Sequence, residues 1–151
     1  MSFRVGTDGA EMWPRCKAMG IAAITYKSLA ETDLSKYPPG EPKARWDLLE
    51  SSQKFSLKAV AYEMKKGDII YVKQGPQIIC RGTLETAYQF DEKLLLRDHN
   101  DLPWPHHVKV AWEPYFLPSR MLLGAEQSTV KRLTAENIAQ LEATFRKARG
   151  S

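Results

Sequence analysis

Asp68-Ile-Ile-Tyr-Val-Lys73, the pair Gly75-Pro76, and Gln77-Ile-Ile-Cys-Arg-Gly-Thr-Leu-Glu85 decide how this chain reads. Each run is short, apolar and rich in β-branched residues, and turn formers separate the two, so they are expected to pair as an antiparallel hairpin. Just upstream, Leu57, Val60, Ala61 and Met64 recur at helical spacing, and Lys65, Lys66 and Gly67 close that helix with cations and a cap. Downstream, Val108, Val110 and Trp112 alternate with Lys109, Ala111 and Glu113, as a half-buried strand requires. Leu94 to Arg97 reads as a short strand and Thr129 to Leu133 as a last one. Thr134 then caps a helix whose Ile138, Leu141, Phe145 and Ala148 share a face.

Toward the N-terminus, a polar start leads to Met12, Cys16 and Met19 at helical spacing, with Pro14 suited to the first turn and Gly20 to the C-cap. The strand Ile21 to Lys27 follows, then a turn-rich loop from Asp33 to Pro42, then a helical stretch at Trp46 and Leu49. This order argues for a compact α+β domain on a curved or closed sheet. A doubly wound parallel sheet is not expected, because too few helices separate the strands after Asp68 to supply crossovers. The 151 residues suit one domain, and the closing Gly150-Ser151 suits either a cloning remnant or a cut linker, the latter making this one domain of a longer chain.

Hydrophobic content of 43% and charged content of 26% are those of an ordinary globular protein. The 22 Lys and Arg against 18 Asp and Glu leave a net charge of +4, which favours a polyanionic partner. Cys16 and Cys80 have neither CxxC spacing nor neighbouring histidines, and read as reduced core residues. Neither a signal peptide nor a membrane-spanning run is apparent, so a cytoplasmic protein without a membrane partner is expected. The sequence holds none of GxxxxGK[ST], GxGxxG after a strand, HExxH or GxSxG, so neither catalytic residues nor a cofactor are expected. His99, His106 and His107 share a stretch with Asp91, Asp98 and Asp101, which raises a metal or nuclease site. Adjacent His106 and His107 would point to opposite faces of an extended segment, and the aspartates sit among turn formers. A solvated loop without metal ligands is therefore expected.

Trp13, Trp46, Trp104 and Trp112 are many for this length. Trp112 alternates with core valines and fits a packing role, whereas Trp46 and Trp104, beside Pro-rich or Gly-rich connections, suit either a core edge or a pocket wall. Lys65, Lys66, Lys73, Arg81, Arg120, Lys131 and Arg132 are candidates for tracking phosphates. Helix dipoles account for part of the cation placement.

The run Met64-Lys-Lys-Gly-Asp-Ile-Ile-Tyr-Val-Lys73, with Ile78-Ile-Cys-Arg-Gly-Thr-Leu-Glu85 and His107-Val-Lys-Val-Ala-Trp112, resembles the PUA-like superfamily in its EVE and YTH-related branch. The likeness extends from about Trp13 to Leu133. It is greatest to the N-terminal DNA-sensing domains of McrB-type and EVE-nuclease modification-dependent restriction proteins. It implies a twisted β-barrel flanked by helices, with a pocket that holds a modified, flipped-out base between aromatic side chains. Carried over by position, Tyr26 and Trp46 are pocket walls, Lys27, Ser28 and Asp33 edge readers, and Trp104 a further wall. The chain lacks the loop-tryptophan pair of methylated-RNA readers, which turns the expectation toward DNA, with a nuclease or NTPase fused or on a separate subunit. An RNA-binding PUA-like module in RNA modification or translation is the alternative. A small hydrolase acting through His99 to His107 is a third reading.

Overall fold

The computed structural model describes residues 2–4, 7–26, 29–36, 56–74, 77–114, 119–120, 130–131 and 133–150. In chain order it contains β1 (Ser2–Arg4), α1 (Thr7–Met19), β2 (Ile21–Ile24), β3 (Ile69–Gln74), β4 (Gln77–Leu84), β5 (Gln89–Phe90), β6 (His106–Trp112), β7 (Ser119–Arg120), β8 (Val130–Lys131) and α2 (Ala135–Gly150). A 3-10 turn lies at Leu34–Lys36 and a π-turn at Ala59–Glu63. The strands form one eight-stranded sheet in the order β2-β6-β4-β3-β1-β8, with β5 on β6 and β7 on β4. The sheet is mostly antiparallel and curls strongly into a half-barrel, so the fold is α+β and barrel-like. No helix among the described residues is long and apolar enough to cross a membrane.

The expected hairpin is present: β3 and β4 pair antiparallel from Ile69 opposite Thr83 to Gln74 opposite Gln77, with a register shift between Val72 and Lys73. The strand at Val108 to Trp112 is also present, and begins two residues earlier. His106 and His107 are therefore strand residues rather than loop. The start of the chain is a strand as well, pairing parallel with β3 and antiparallel with β8 through Phe3. Leu94 to Arg97 is not a strand, and only an isolated bridge joins Arg97 to Pro103. The Asp91 carboxylate accepts the N–H groups of Lys93 and Leu95 there, which satisfies the backbone locally instead of through a ladder.

The helix closed by Gly20 starts two turns before the expected position, so Pro14 lies inside it rather than in its first turn. Pro14 is exposed, so water can reach the carbonyl left without a donor. Gly20 has a φ of +70°, the left-handed conformation of a C-cap. Met12 and Cys16 are buried as expected, but Met19 is 57% exposed because it stands at the last position of the helix. The helical stretch before β3 ends in a π-turn, in which the Met64 N–H donates to the Ala59 carbonyl at 2.9 Å. Leu57, Val60 and Met64 are buried on its inner face. Thr134 caps α2, its hydroxyl accepting the Asn137 N–H at 3.1 Å while the Asn137 amide oxygen accepts the Thr134 N–H. Leu141 is fully buried on that helix. The helix expected at Trp46 and Leu49, and the Gly75-Pro76 turn, lie outside the described residues.

The principal core fills the concave side of the sheet, with Ile24, Leu34, Leu57, Ile70, Val72 and Val108 at its centre. A second cluster, Met12, Cys16, Ile21, Ala23 and Leu96, lies under α1. β2 thus sends Ala22 and Ile24 to one core and Ile21 and Ala23 to the other, which explains an unbroken apolar run where alternation would otherwise appear. Cys16 and Cys80 are both buried free thiols, as expected, and burial pushes the Cys16 thiol up to about 11. A third cluster, Tyr71, Ile78, Leu133 and Leu141, seats α2 on the outer face. There Arg81 donates to Glu113 at 2.7 Å and to both carboxylate oxygens of Glu142, which also accepts the Tyr71 hydroxyl.

Gly82 sits where β4 crosses β6. A Cβ there would come within 2.5 Å of Val110 and 2.6 Å of Trp112. Gly82→Ala is expected to lower stability by about 1–3 kcal/mol through overpacking. Gly67 has open space around it but a φ of +94°, so Gly67→Ala is expected to cost about 1–2 kcal/mol through backbone strain alone. Urea midpoints of the two variants measure both effects. A Gly82→Ala chain as stable as the parent would mean that β4 and β6 are not in this contact.

Candidate functional site

A groove of about 640 Å³ opens beside the second cluster. Its floor is the outer face of β2, β5 and β6, and its walls are the end of α1 and the loop from Asp91 to Trp104. Met19, Ile21, Phe90, Leu96 and Trp104 supply apolar surface, and Gln89, Asp91, Glu92, Lys93 and His107 supply polar groups. Aspartates shape the loop wall. Asp91 holds the first turn, where Leu94 takes a φ of 51°. Asp98 accepts the N–H groups of Asn100 and Leu102 and the indole N–H of Trp104, the last at 3.0 Å. Burial works to raise the Asp98 pKa, but these donors outweigh it and hold the carboxyl below its ordinary value.

The loop is also tied to its surroundings. Arg15 donates to the Arg97 carbonyl at 2.7 Å, Thr25 donates to the Pro103 carbonyl, and the Trp104 N–H donates to the Leu96 carbonyl. Trp104 is half-buried and packs on the cluster under α1. With its N–H edge held by Asp98, the ring is a positioned aromatic wall rather than a free side chain.

The two histidines of β6 serve opposite faces. His106 is fully buried. Its Nε2 lies 2.8 Å from the Leu29 carbonyl oxygen, which can only accept, so Nε2 carries the proton. Nδ1 then accepts the Tyr88 hydroxyl at 2.7 Å, and the Tyr88 oxygen accepts the Leu34 N–H. This chain fastens the segment after β2 to the sheet. Burial holds the imidazole well below its ordinary pKa, at about 4. His107, on the outer face, points Nδ1 at the Pro105 carbonyl at 2.9 Å and lines the groove. The expectation that this pair lies in a solvated loop is corrected. His106 can be buried because both of its ring nitrogens are satisfied.

Of the residues expected at a base pocket, Trp104 lines the groove. Tyr26 is half-buried against the principal core instead and is not among the groove's lining residues. Asp33 accepts both the N–H and the hydroxyl of Ser35 in the turn at Leu34–Lys36. Lys27, Ser28 and Trp46 lie outside the described residues. Of the candidate phosphate contacts, Lys65 and Lys66 are exposed, Lys73 is only 7% exposed, and Arg81 is engaged by Glu113 and Glu142. Arg120 and Lys131 are placed as backbone in β7 and β8, and Arg132 lies outside the described residues. Gln89 was missed, and His107 was considered for a metal or hydrolase role but not as a wall beside Trp104. The opposite facing of His106 and His107 in an extended segment was legible, but that β6 reaches back to include them was not, and a strand as short as β5 leaves no periodic signal.

A family model described as a domain of unknown function, DUF8426, matches residues 2–141, and the chain belongs to that family. No curated protein and no solved structure matches it significantly.

The His106 network implies a definite pH dependence. In the unfolded chain its imidazole titrates near 6.5, against about 4 in the fold. The unfolded state therefore binds the extra proton between these values. The His106 contribution is complete above pH 6.5 and is lost as pH falls toward 4, by roughly 3 kcal/mol in all. The stability difference between the parent and His106→Gln should narrow by about 2.5 kcal/mol in urea titrations from pH 7.5 to 4.5. A constant difference would show that His106 is not buried in neutral form.

Proposed function

We propose that this chain is a nucleic-acid-binding specificity module that seats a base, by preference a modified one in DNA, against Trp104 in the groove. On this reading the half-barrel is a PUA-like domain of the EVE and YTH-related kind, serving a modification-dependent restriction or defence system. Catalysis then resides on another domain or chain. The observation that carries the reading is the indole of Trp104, held at its edge by Asp98 and lining a groove within the roughly 300–1,000 Å³ range of small-ligand sites.

Energetics support such a seat. Extruding a base costs a few kcal/mol, and stacking on an aromatic returns about 1–3 kcal/mol, so phosphate contacts must supply the remainder. Exposed Lys93 lines the groove, and exposed Lys109 pairs in register with groove residue Ile21. These two cations, with Lys65 and Lys66 exposed on the turn before β3, are the candidates for holding a backbone. A methyl group alone gives modest discrimination in an apolar site, so a polar reader of the base edge is also required.

The test is a binding panel of methylated, hydroxymethylated and plain DNA and RNA oligonucleotides, run with the parent and Trp104→Ala beside melting temperatures. Trp104→Ala is expected to lower affinity for the preferred oligonucleotide about ten- to a hundredfold, while affinity falls steeply with salt in both proteins. Loss that follows Tyr26→Ala and spares Trp104→Ala would move the seat to the other face of the sheet. Tighter binding to RNA would turn the reading to an RNA module. A folded Trp104→Ala protein that binds every oligonucleotide as the parent does would sink the groove as the base site.

A further inference from the structure

Resting on the base-binding reading, we propose that His107 and Gln89 read the edge of the seated heterocycle and select one that bears an exocyclic amino group, as in cytosine or adenine, over its keto counterpart. The argument starts from the Pro105 carbonyl. It lies 2.9 Å from His107 Nδ1 and can only accept, so Nδ1 carries the proton. In the neutral ring Nε2 is then an acceptor, and among the described residues the ring's hydrogen-bond partner is the Pro105 carbonyl alone. His107 lines the groove, so a ligand there meets an imidazole whose remaining capacity is to accept.

Gln89 stands directly opposite His107 in the β5–β6 register. Cross-strand partners project to the same face with Cβ atoms about 5 Å apart, which places a side-chain amide, both donor and acceptor, beside the imidazole. Asp91 and Glu92 add carboxylates to the same lining, against one cation, Lys93. Carboxylates accept and do not donate, so the rim is biased the same way as Nε2. An amino group offers N–H donors to such a surface. A keto oxygen in the position of that amino group would set lone pair against lone pair at Nε2, the kind of mismatch that a polar site rejects most strongly.

Cytosine and uracil, like adenine and hypoxanthine, are nearly isosteric and differ at the relevant edge by this exchange together with that of the adjacent ring nitrogen from acceptor to N–H donor, so each pair reports which donor–acceptor order the site accepts. Single-stranded oligonucleotides with one central cytosine or uracil, and a second pair with adenine or hypoxanthine, are titrated into the parent chain, Trp104→Ala, His107→Phe and Gln89→Leu. At least about a tenfold preference for the amino member of one pair is expected in the parent. It should be lost in His107→Phe, which keeps a ring of similar size without an acceptor, and reduced in Gln89→Leu. Binding that depends on Trp104 but treats amino and keto members alike would overturn this inference and leave the base seat standing. A preference that survives in folded His107→Phe would also overturn it. Binding that does not depend on Trp104 would remove both readings together. If His107→Phe fails to fold, the parent's preference and its reduction in Gln89→Leu decide the matter.

Discussion

A strand sends successive side chains to opposite faces, and β6 carries that constraint for most of the molecule. Its first residues pair with β2 on one side and β5 on the other, and its last residues pair with β4. His106, Val108 and Val110 face inward and are buried, while His107 and Lys109 face outward, His107 into the groove. Slipping the register by one residue would bury Lys109 and expose both valines, so the apolar set pins the strand. The same pinning separates the histidines. One becomes a neutral structural group with both nitrogens bonded, and its neighbour is left facing the open groove.

Beside that strand, the loop from Asp91 to Trp104 is organised by side-chain acceptors rather than by ladder hydrogen bonds. Asp98 alone receives three donors, one of them the Trp104 indole. A buried carboxylate is costly unless its lone pairs are filled, and here filling them is what orients the aromatic wall. Backbone satisfaction and site construction are one act in this loop. The loop wall of the groove is therefore fixed although it contains little regular structure.

Charge in this protein divides between structure and surface. Arg81 has a side chain only 11% exposed and bridges Glu113 near the end of β6 to Glu142 on α2. Burial works to raise the Glu142 pKa, yet the Tyr71 hydroxyl and the Arg81 guanidinium hold it below its ordinary value. Removing one partner of such a cluster leaves an uncompensated charge, which costs more than an exposed ion pair contributes. A net charge of +4 thus says little about where phosphate could be held, and the exposed lysines near the groove matter more than the total.

Periodicity made the hairpin, the Leu57 to Met64 face, the Val108 to Trp112 alternation and the Thr134 cap legible, because each is set by residues within a few positions of one another. β8 falls within the strand expected from Thr129 to Leu133, but the short strands β1, β5 and β7 were not legible, since they exist only where a distant edge offers them partners. Nor was the early start of α1, where Pro14 reads as a first-turn residue until packing places it mid-helix on the exposed side. The aromatic richness of the chain was visible from the start, but not which aromatic meets which neighbour. The sequence by itself determined the α+β class, the alternating strands and the buried cysteines, because local spacing sets which face of an element is apolar. Only the tertiary structure decided that Met19, Ile21, Gln89, Trp104 and His107 border one groove while Tyr26 packs on another core. Those positions are joined by strand register and a carboxylate-held loop, and neither leaves a local signature in the sequence.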